Sequence, residues 1–250
     1  MKTARLAAAV AFALSGLVHA QDTSPPPAPT PATPPSPAIA TPSATKAPAL
    51  PAVENSVVKI FATVRRPDPY KPWTKASPAD VTGSGVIIEG KRILTNAHVV
   101  GYASQVEVQA SQSGDRVPAK VIALARGLDL AVLELEDPSF FDKRPPVQRA
   151  AVLPDVREAV FAYGYPVGGN SLSTTRGIVS RVEFVGYGSF SSGLRIQIDA
   201  PINPGNSGGP VIAGDKMIGL AFSMAANAQS IGYVIPNEEI ELFLKDVADG

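Results

Sequence analysis

The stretch Asp199-Ala-Pro-Ile-Asn-Pro-Gly-Asn-Ser-Gly-Gly-Pro210 decides how the rest of the chain is read. In it Ser207 stands among Gly205, Asn206, Gly208 and Gly209. So many glycines would weaken a helix or an inner strand, because each has extra backbone entropy to lose on folding. They suit a tight turn, or a place where a ligand approaches the backbone. A serine in such a turn presents its hydroxyl outward, and neighbouring N–H groups can converge on one point. An acyl-transfer nucleophile beside an oxyanion hole needs that arrangement. A Gly-rich hairpin with an incidental serine is the plainer alternative. The sequence around the loop has to separate the two.

On both sides of the loop, short apolar or alternating runs recur between Gly, Pro, Asn and Asp. Residues 57–64, 85–89, 93–95, 105–110, 119–125 and 130–135 make one series. A Pro-containing connection near 144–146 leads to a second, at 159–163, 171–184, 194–199, 211–213, 217–223 and 232–235. Many short strands at this spacing predict an all-β sandwich or barrel. Two series of about six suggest two packed barrels, over about residues 52–145 and 146–236. The end of the chain changes period. Asn237 can cap a helix, Glu238 and Glu239 favour its start, and Ile240, Phe243, Leu244 and Val247 form a stripe at helical spacing. One amphipathic helix over about 237–248 is expected to close the chain.

Composition sets the outer bounds. The chain has 250 residues, 45% hydrophobic and 18% charged, with a formal net charge of zero. That suits one mid-sized domain with extensions and argues against a nucleic-acid binder, which would carry a basic surplus. There is no cysteine, hence no disulfide framework and no thiolate metal site. Residues 1–20 read as a secretory leader: Lys2 and Arg5, a short apolar run over 6–18, then Val18-His19-Ala20. The alternative is an uncleaved anchor; no other stretch is long and apolar enough to span a bilayer. A periplasmic or secreted location follows from the leader. Residues 21–51 are Pro, Ala, Thr and Ser in low complexity, an extended polyproline-like spacer that serves as a tether or as a docking ligand.

With the leader removed, His98 is the one histidine left of two. It follows a strand into a tight turn, in Leu94-Thr95-Asn96-Ala97-His98-Val99-Val100. A lone histidine is usually just packed or exposed, but if Ser207 needs a base, His98 is the only imidazole available. A lone histidine also argues against catalytic zinc, which wants several ligands together. A third group must hold the imidazole in one tautomer. Asp129 is the best candidate, because the run Leu130-Ala131-Val132-Leu133 would bury it, and a buried acid needs a partner. Asp115, Asp137 and Asp142 look like loop residues, and Asp199 is the runner-up.

His98, Asp129 and Ser207 occur in the chain order of chymotrypsin-like serine proteases. The motifs Thr95-Asn96-Ala97-His98-Val99-Val100, Asp129-Leu130-Ala131-Val132-Leu133, Asn203-Pro204-Gly205-Asn206-Ser207-Gly208-Gly209-Pro210 and Gly232-Tyr233-Val234-Ile235-Pro236 each resemble the HtrA/Deg branch. The resemblance covers about residues 53–247. It implies a double barrel of two packed antiparallel six-stranded β-barrels, with the site in the cleft between them. It implies Ser207 as nucleophile, His98 as base and Asp129 as its orienting acid. Gly205 and Ser207, with Asn206, would line the oxyanion hole. No cofactor or metal is implied. Unfolded or damaged polypeptides are the implied substrates, and a homotrimer the implied assembly. A peptide-binding, chaperone-like member with little turnover is the alternative.

Three further expectations come from the resemblance. The primary specificity pocket falls on Pro201, Ile202 and Ile231, none of them charged, which favours cleavage after small or medium aliphatic residues. Asn206 stands where digestive relatives carry an aspartate that pairs with a newly cut N-terminus, so activation by such a cut is not expected. Control would lie in mobile loops such as 185–193. HtrA/Deg proteins usually carry a PDZ domain after the terminal helix, and no such segment lies within these residues. The loop over 65–80, which holds the only tryptophan, Trp73, is short beside many relatives.

Overall fold

A computed structural model of the chain describes residues 53–187, 191–222 and 232–250. The leader, the Pro-rich spacer and Ile231 lie outside the described residues, as does part of the 185–193 loop. A short helix, α1 (Val53–Ser56), leads into strand β1 (Val57–Val64). β1 is rich in β-branched residues, which suit a pleated strand. Its Val58, Ile60, Ala62 and Val64 point into a core while Phe61 and Thr63 are half-exposed. A small hairpin, β2 (Pro67–Asp68) with β3 (Lys71–Lys75), stands off the surface. Then come β4 (Ala79–Ile88), β5 (Arg92–Thr95), the single-turn helix α2 (Ala97–Val100), β6 (Ala103–Ala110), β7 (Arg116–Ala125) and β8 (Leu130–Leu135). Strand order β1-β4-β5-β8-β7-β6 closes the first barrel.

The second barrel uses β9 (Ala159–Gly164), β10 (Ser173–Tyr187), β11 (Ser191–Ile198), β12 (Pro210–Ala213), β13 (Lys216–Phe222) and β14 (Gly232–Pro236), in order β10-β11-β14-β13-β12-β9. All ladders in both barrels are antiparallel. Helix α3 (Asn237–Asp249) follows. The fold is therefore the expected all-β pair of six-stranded barrels with a C-terminal helix. Closing each sheet leaves no unpaired edge.

Each barrel has its own core, and a third cluster joins them. Val57, Val86, Leu94, Leu130 and Val132 from the first barrel meet Ile212, Met217, Leu220 and Ile235 from the second. Ile240 and Phe243 of α3 enter the same cluster. A helix of 13 residues is marginal alone in water. Burying an Ile or Phe side chain contributes about 1.5–3 kcal/mol each, so packing on this seam stabilises α3.

The structure extends several expected segments. β4 begins at Ala79, six residues before the apolar run that betrays it, because Ala79 to Ser84 pair with β1 through polar and glycine residues. The β2–β3 hairpin is exposed throughout β3 and has no apolar alternation to read. Asn237 does not cap α3. The cap position is Pro236, and the Asn237 amide donates instead to the carbonyls of Ala150 (2.9 Å) and Met217 (2.6 Å). No described helix is long and apolar enough to cross a membrane.

Candidate active site

His98 sits on α2, a single turn held by buried Val99 and Val100. Its ring is half-exposed and meets the Phe222 ring edge-on, with centroids 6.3 Å apart. The loop before β8 brings Asp129 against this turn. Asp129 Oδ1 accepts the His98 backbone N–H at 2.8 Å, and Oδ2 lies 2.7 Å from His98 Nδ1. A carboxylate only accepts, so the Nδ1 position carries the shared proton and Nε2 is left as the acceptor. The Asp129 carbonyl is also held, by Ala97 N–H at 3.1 Å and Asn96 Nδ2 at 3.0 Å. These bonds hold Asp129 at φ +61°, a left-handed conformation that a non-glycine residue adopts at a cost of about 1–3 kcal/mol. The acid is thus fixed by four bonds to residues 96–98, besides the Asp129 N–H bond to the Arg126 carbonyl within its own loop. Asp199, the other candidate acid, accepts the Ile178 N–H through Oδ1 at 2.6 Å and braces the entry to the serine loop.

Ser207 lies in a buried turn between Gly205 (φ +98°) and Gly208 (φ +86°). A Cβ at Gly208 would collide with the Ser84 carbonyl and the Thr95 hydroxyl, so the backbone comes close only because no side chain is there. The turn is stitched to both barrels. Ser84 of β4 donates its N–H to the Ser207 carbonyl at 2.9 Å and its hydroxyl to the Gly205 carbonyl at 2.7 Å. Thr95 of β5 donates its hydroxyl to the Ser84 carbonyl at 2.7 Å. From β13, the Ala221 carbonyl accepts the Gly208 N–H at 3.0 Å. His98, Ser207 and Gly205 line one cleft of about 540 Å³, together with Thr82, Val99 and Val167.

The Pro204 carbonyl accepts the Val167 N–H at 2.9 Å. The Pro204–Gly205 peptide is trans, so the Gly205 N–H is directed away from that loop. The Asn206 N–H, expected with Gly205 and Ser207 as an oxyanion donor, is committed elsewhere: it donates to the Asn203 carbonyl at 3.0 Å. That bond does not fit the oxyanion role expected of Asn206. The Asn206 side chain is buried, with no hydrogen-bond partner among the described residues for its Oδ1 or Nδ2.

Of the expected specificity residues, Pro201 and Ile202 do not line this cleft. Pro201 is exposed and its carbonyl accepts the Thr175 hydroxyl at 2.9 Å. Ile202 is half-buried and packs inward on the second-barrel core, against Gly232. Ile231 lies outside the described residues.

Several residues were missed from sequence. Ser84 had one signal, the Gly83-Ser84-Gly85 interruption of a strand, which marks a close backbone approach. Lys59 of β1 reaches the second barrel, donating to the Gly169 carbonyl (2.7 Å) and Asn170 Oδ1 (3.0 Å). Burial, and then the Arg116 charge, push its amine below the usual lysine range. Arg195 of β11 is fully buried behind Phe222. Its Nη2 approaches the Leu128 carbonyl at 3.4 Å and its Nη1 lies 3.7 Å from Glu239 of α3.

Comparison with known proteins agrees with this geometry. Residues 83–220 match the trypsin-like peptidase domain. Protease Do-like 4, mitochondrial, from Arabidopsis thaliana is 43% identical over 196 residues, covering 78% of this chain and 38% of that protein. The serine protease DegP homolog of Plasmodium falciparum is 38% identical over 192 residues, covering 76% of this chain and 22% of its own length. The chain thus spans well under half the length of these relatives. The active form of the Rv3671c protease from M. tuberculosis superposes with a TM-score of 0.68 at 26% identity, covering 83% of this chain and 87% of that one. The chain belongs to the trypsin-like peptidase family, in its HtrA/Do-like branch.

Proposed function

We propose that the chain is a serine endopeptidase acting through Ser207, His98 and Asp129 by acyl-enzyme chemistry. The observation that carries this reading is the Asp129–His98 pair opening on the same cleft as Ser207. Ser207 Oγ attacks the scissile carbonyl carbon as His98 Nε2 takes its proton. Asp129 Oδ2 stabilises the imidazolium that forms. The tetrahedral oxyanion is met by the N–H groups of Gly205 and Ser207, a role supported by the turned Pro204–Gly205 peptide. Collapse breaks the C–N bond as His98 returns the proton to the leaving amine. Water then repeats the sequence on the ester and releases the acid.

Unfolded or damaged proteins are the proposed substrates, outside the cytoplasm. The leader-like residues 1–20 support that location, whereas several relatives are named as mitochondrial or chloroplastic. Assembly as a homotrimer belongs to the same reading, and sedimentation checks it. The test is casein digestion by the mature protein beside Ser207→Ala and His98→Ala. Loss of a triad member is expected to reduce turnover by about four orders of magnitude or more, with the fold retained. Near-native digestion by Ser207→Ala would overturn the assignment; slow digestion by the parent with intact peptide binding would favour the chaperone-like alternative.

A further inference from the structure

His98 borders a second cavity besides the one it shares with Ser207. This cavity, of about 240 Å³, is lined by Arg66, Ala97, His98, Tyr102, Arg126 and Asp129, with Gly101 at its floor. Its charge is lopsided. Both oxygens of Asp129 are engaged by His98, one by the backbone N–H and one by the ring. The two arginines have no carboxylate among their ion pairs in the described residues.

Both arginines are exposed, and Arg126 is placed by an aromatic contact. Arg126 lies over the Tyr102 ring, its Cζ 4.0 Å from the centroid. Its backbone belongs to the turn that presents the acid, since the Arg126 carbonyl accepts the Asp129 N–H at 3.3 Å. Tyr102 has a left-handed backbone, φ +63°, and its carbonyl accepts the Arg65 N–H at 3.0 Å. That bond brings the foot of the β2–β3 hairpin, and with it Arg66, to the cavity. Three separate segments therefore converge on one basic pocket beside His98. Stacking on Tyr102 leaves the edge of the Arg126 guanidinium able to bind a carboxylate through two N–H donors.

We propose that this pocket is a substrate subsite for an acidic side chain, Asp or Glu, close to the scissile bond. The proposal rests on the catalytic reading above, because the pocket borders the candidate base. A peptide whose carbonyl lies at Ser207 runs past His98, so a neighbouring side chain enters the cavity. A carboxylate there meets Arg66 and Arg126; a lysine meets like charge. Near a protein surface an arginine–carboxylate pair is modest, and two of them together give a preference of about fivefold to tenfold. Salt screens such a preference, so it shrinks as ionic strength rises.

The test uses the full chain and matched peptide sets with one cleavable bond. Each of the four positions flanking that bond carries Glu, Gln or Lys in turn, and kcat/KM is measured at low and high salt. The expected result is one position at which Glu exceeds Gln by about fivefold to tenfold and Lys is worst, with the ratio falling in salt. In Arg126→Gln with Arg66→Gln that Glu-to-Gln ratio falls to about one, and Arg126→Glu turns the preference toward Lys. Equal rates for Glu and Gln at every position would overturn the subsite while leaving the triad standing. A ratio unchanged in the double variant would overturn it as well. If the parent cleaves none of the peptides, the catalytic reading fails instead. Binding of the Glu and Gln peptides to Ser207→Ala, by calorimetry, then still decides the subsite: equal affinities would overturn it.

Discussion

At the scale of single residues, the site depends on side chains that do something other than their type suggests. Asp129 adopts a backbone conformation that glycine would take more easily, and holds it because residues 96–98 bind both its carbonyl and its carboxylate. Asn206 keeps its N–H for a local turn, donating to the Asn203 carbonyl. Primary specificity belongs to this scale too. Residues 201 and 202 carry no charge, and Ile202 sits half-buried against Gly232. Neither lines the cleft at Ser207, so on the resemblance alone we propose that a primary pocket without a charge would leave an entering lysine or arginine unpaired, at a cost of several kcal/mol. Cleavage is therefore expected after Val, Ala, Ile or Leu, with modest discrimination among them. Mass spectrometry of peptides from a digested unfolded protein checks this, and a majority of cuts after Lys or Arg would contradict it.

At the scale of elements, the serine turn is held by strands of both barrels and by one loop. Ser84 and Thr95 fix it from the first barrel, and β13 from the second. The 166–170 loop holds the Pro204 carbonyl through Val167, and Lys59 latches that loop from β1. The latch is nearly buried and crosses from one barrel to the other. Lys59→Met keeps the stem and removes both bonds. The loop then gains freedom, and the Pro204–Gly205 peptide is less firmly directed. Removing one oxyanion donor outright costs about a hundredfold or more in kcat, so a loosened one should cost about tenfold, with KM changed less. Steady-state kinetics on a neutral peptide measure it; an unchanged kcat would rule out the latch.

At the scale of the molecule, the two barrels share an apolar seam, and a second buried cation besides Lys59 bridges them. Arg195 of β11 links the Leu128 carbonyl beside Asp129 to Glu239 of the terminal helix. Glu239 also accepts the Leu194 N–H at 2.7 Å. Burial pushes the guanidinium pKa down, against the pull of Glu239 and Asp129. Arg195→Met leaves Glu239 without its cation in a half-dry site. Breaking a buried pair from one side costs about 3–5 kcal/mol, whereas replacing both members by apolar groups is often near neutral. Denaturant unfolding should therefore show a large loss for Arg195→Met and recovery of most of it in Arg195→Met with Glu239→Met. A double variant no more stable than the single one would mean that the guanidinium is held by other groups.

Strand positions, the closing helix and the glycine-rich turn at Ser207 were legible from the chain because each rests on a local pattern, whereas His98 and Asp129 were expected beside it by elimination and by resemblance. Alternation with period two marks β6 and β7, short apolar runs mark β8 and β13, helical spacing marks α3, and a cluster of glycines marks the Ser207 turn. A local pattern says which way a side chain faces, not what it meets. Folding alone supplied partners such as Ser84 for Gly205, 121 residues away, and Glu239 for Leu194, 45 residues away. The same holds for Asn237, which suits a helix cap in isolation and instead binds two carbonyls of the second barrel. Barrel closure sets those meetings, and a buried polar group takes whichever partner closure brings within reach, because leaving it unpaired costs more than abandoning its local preference.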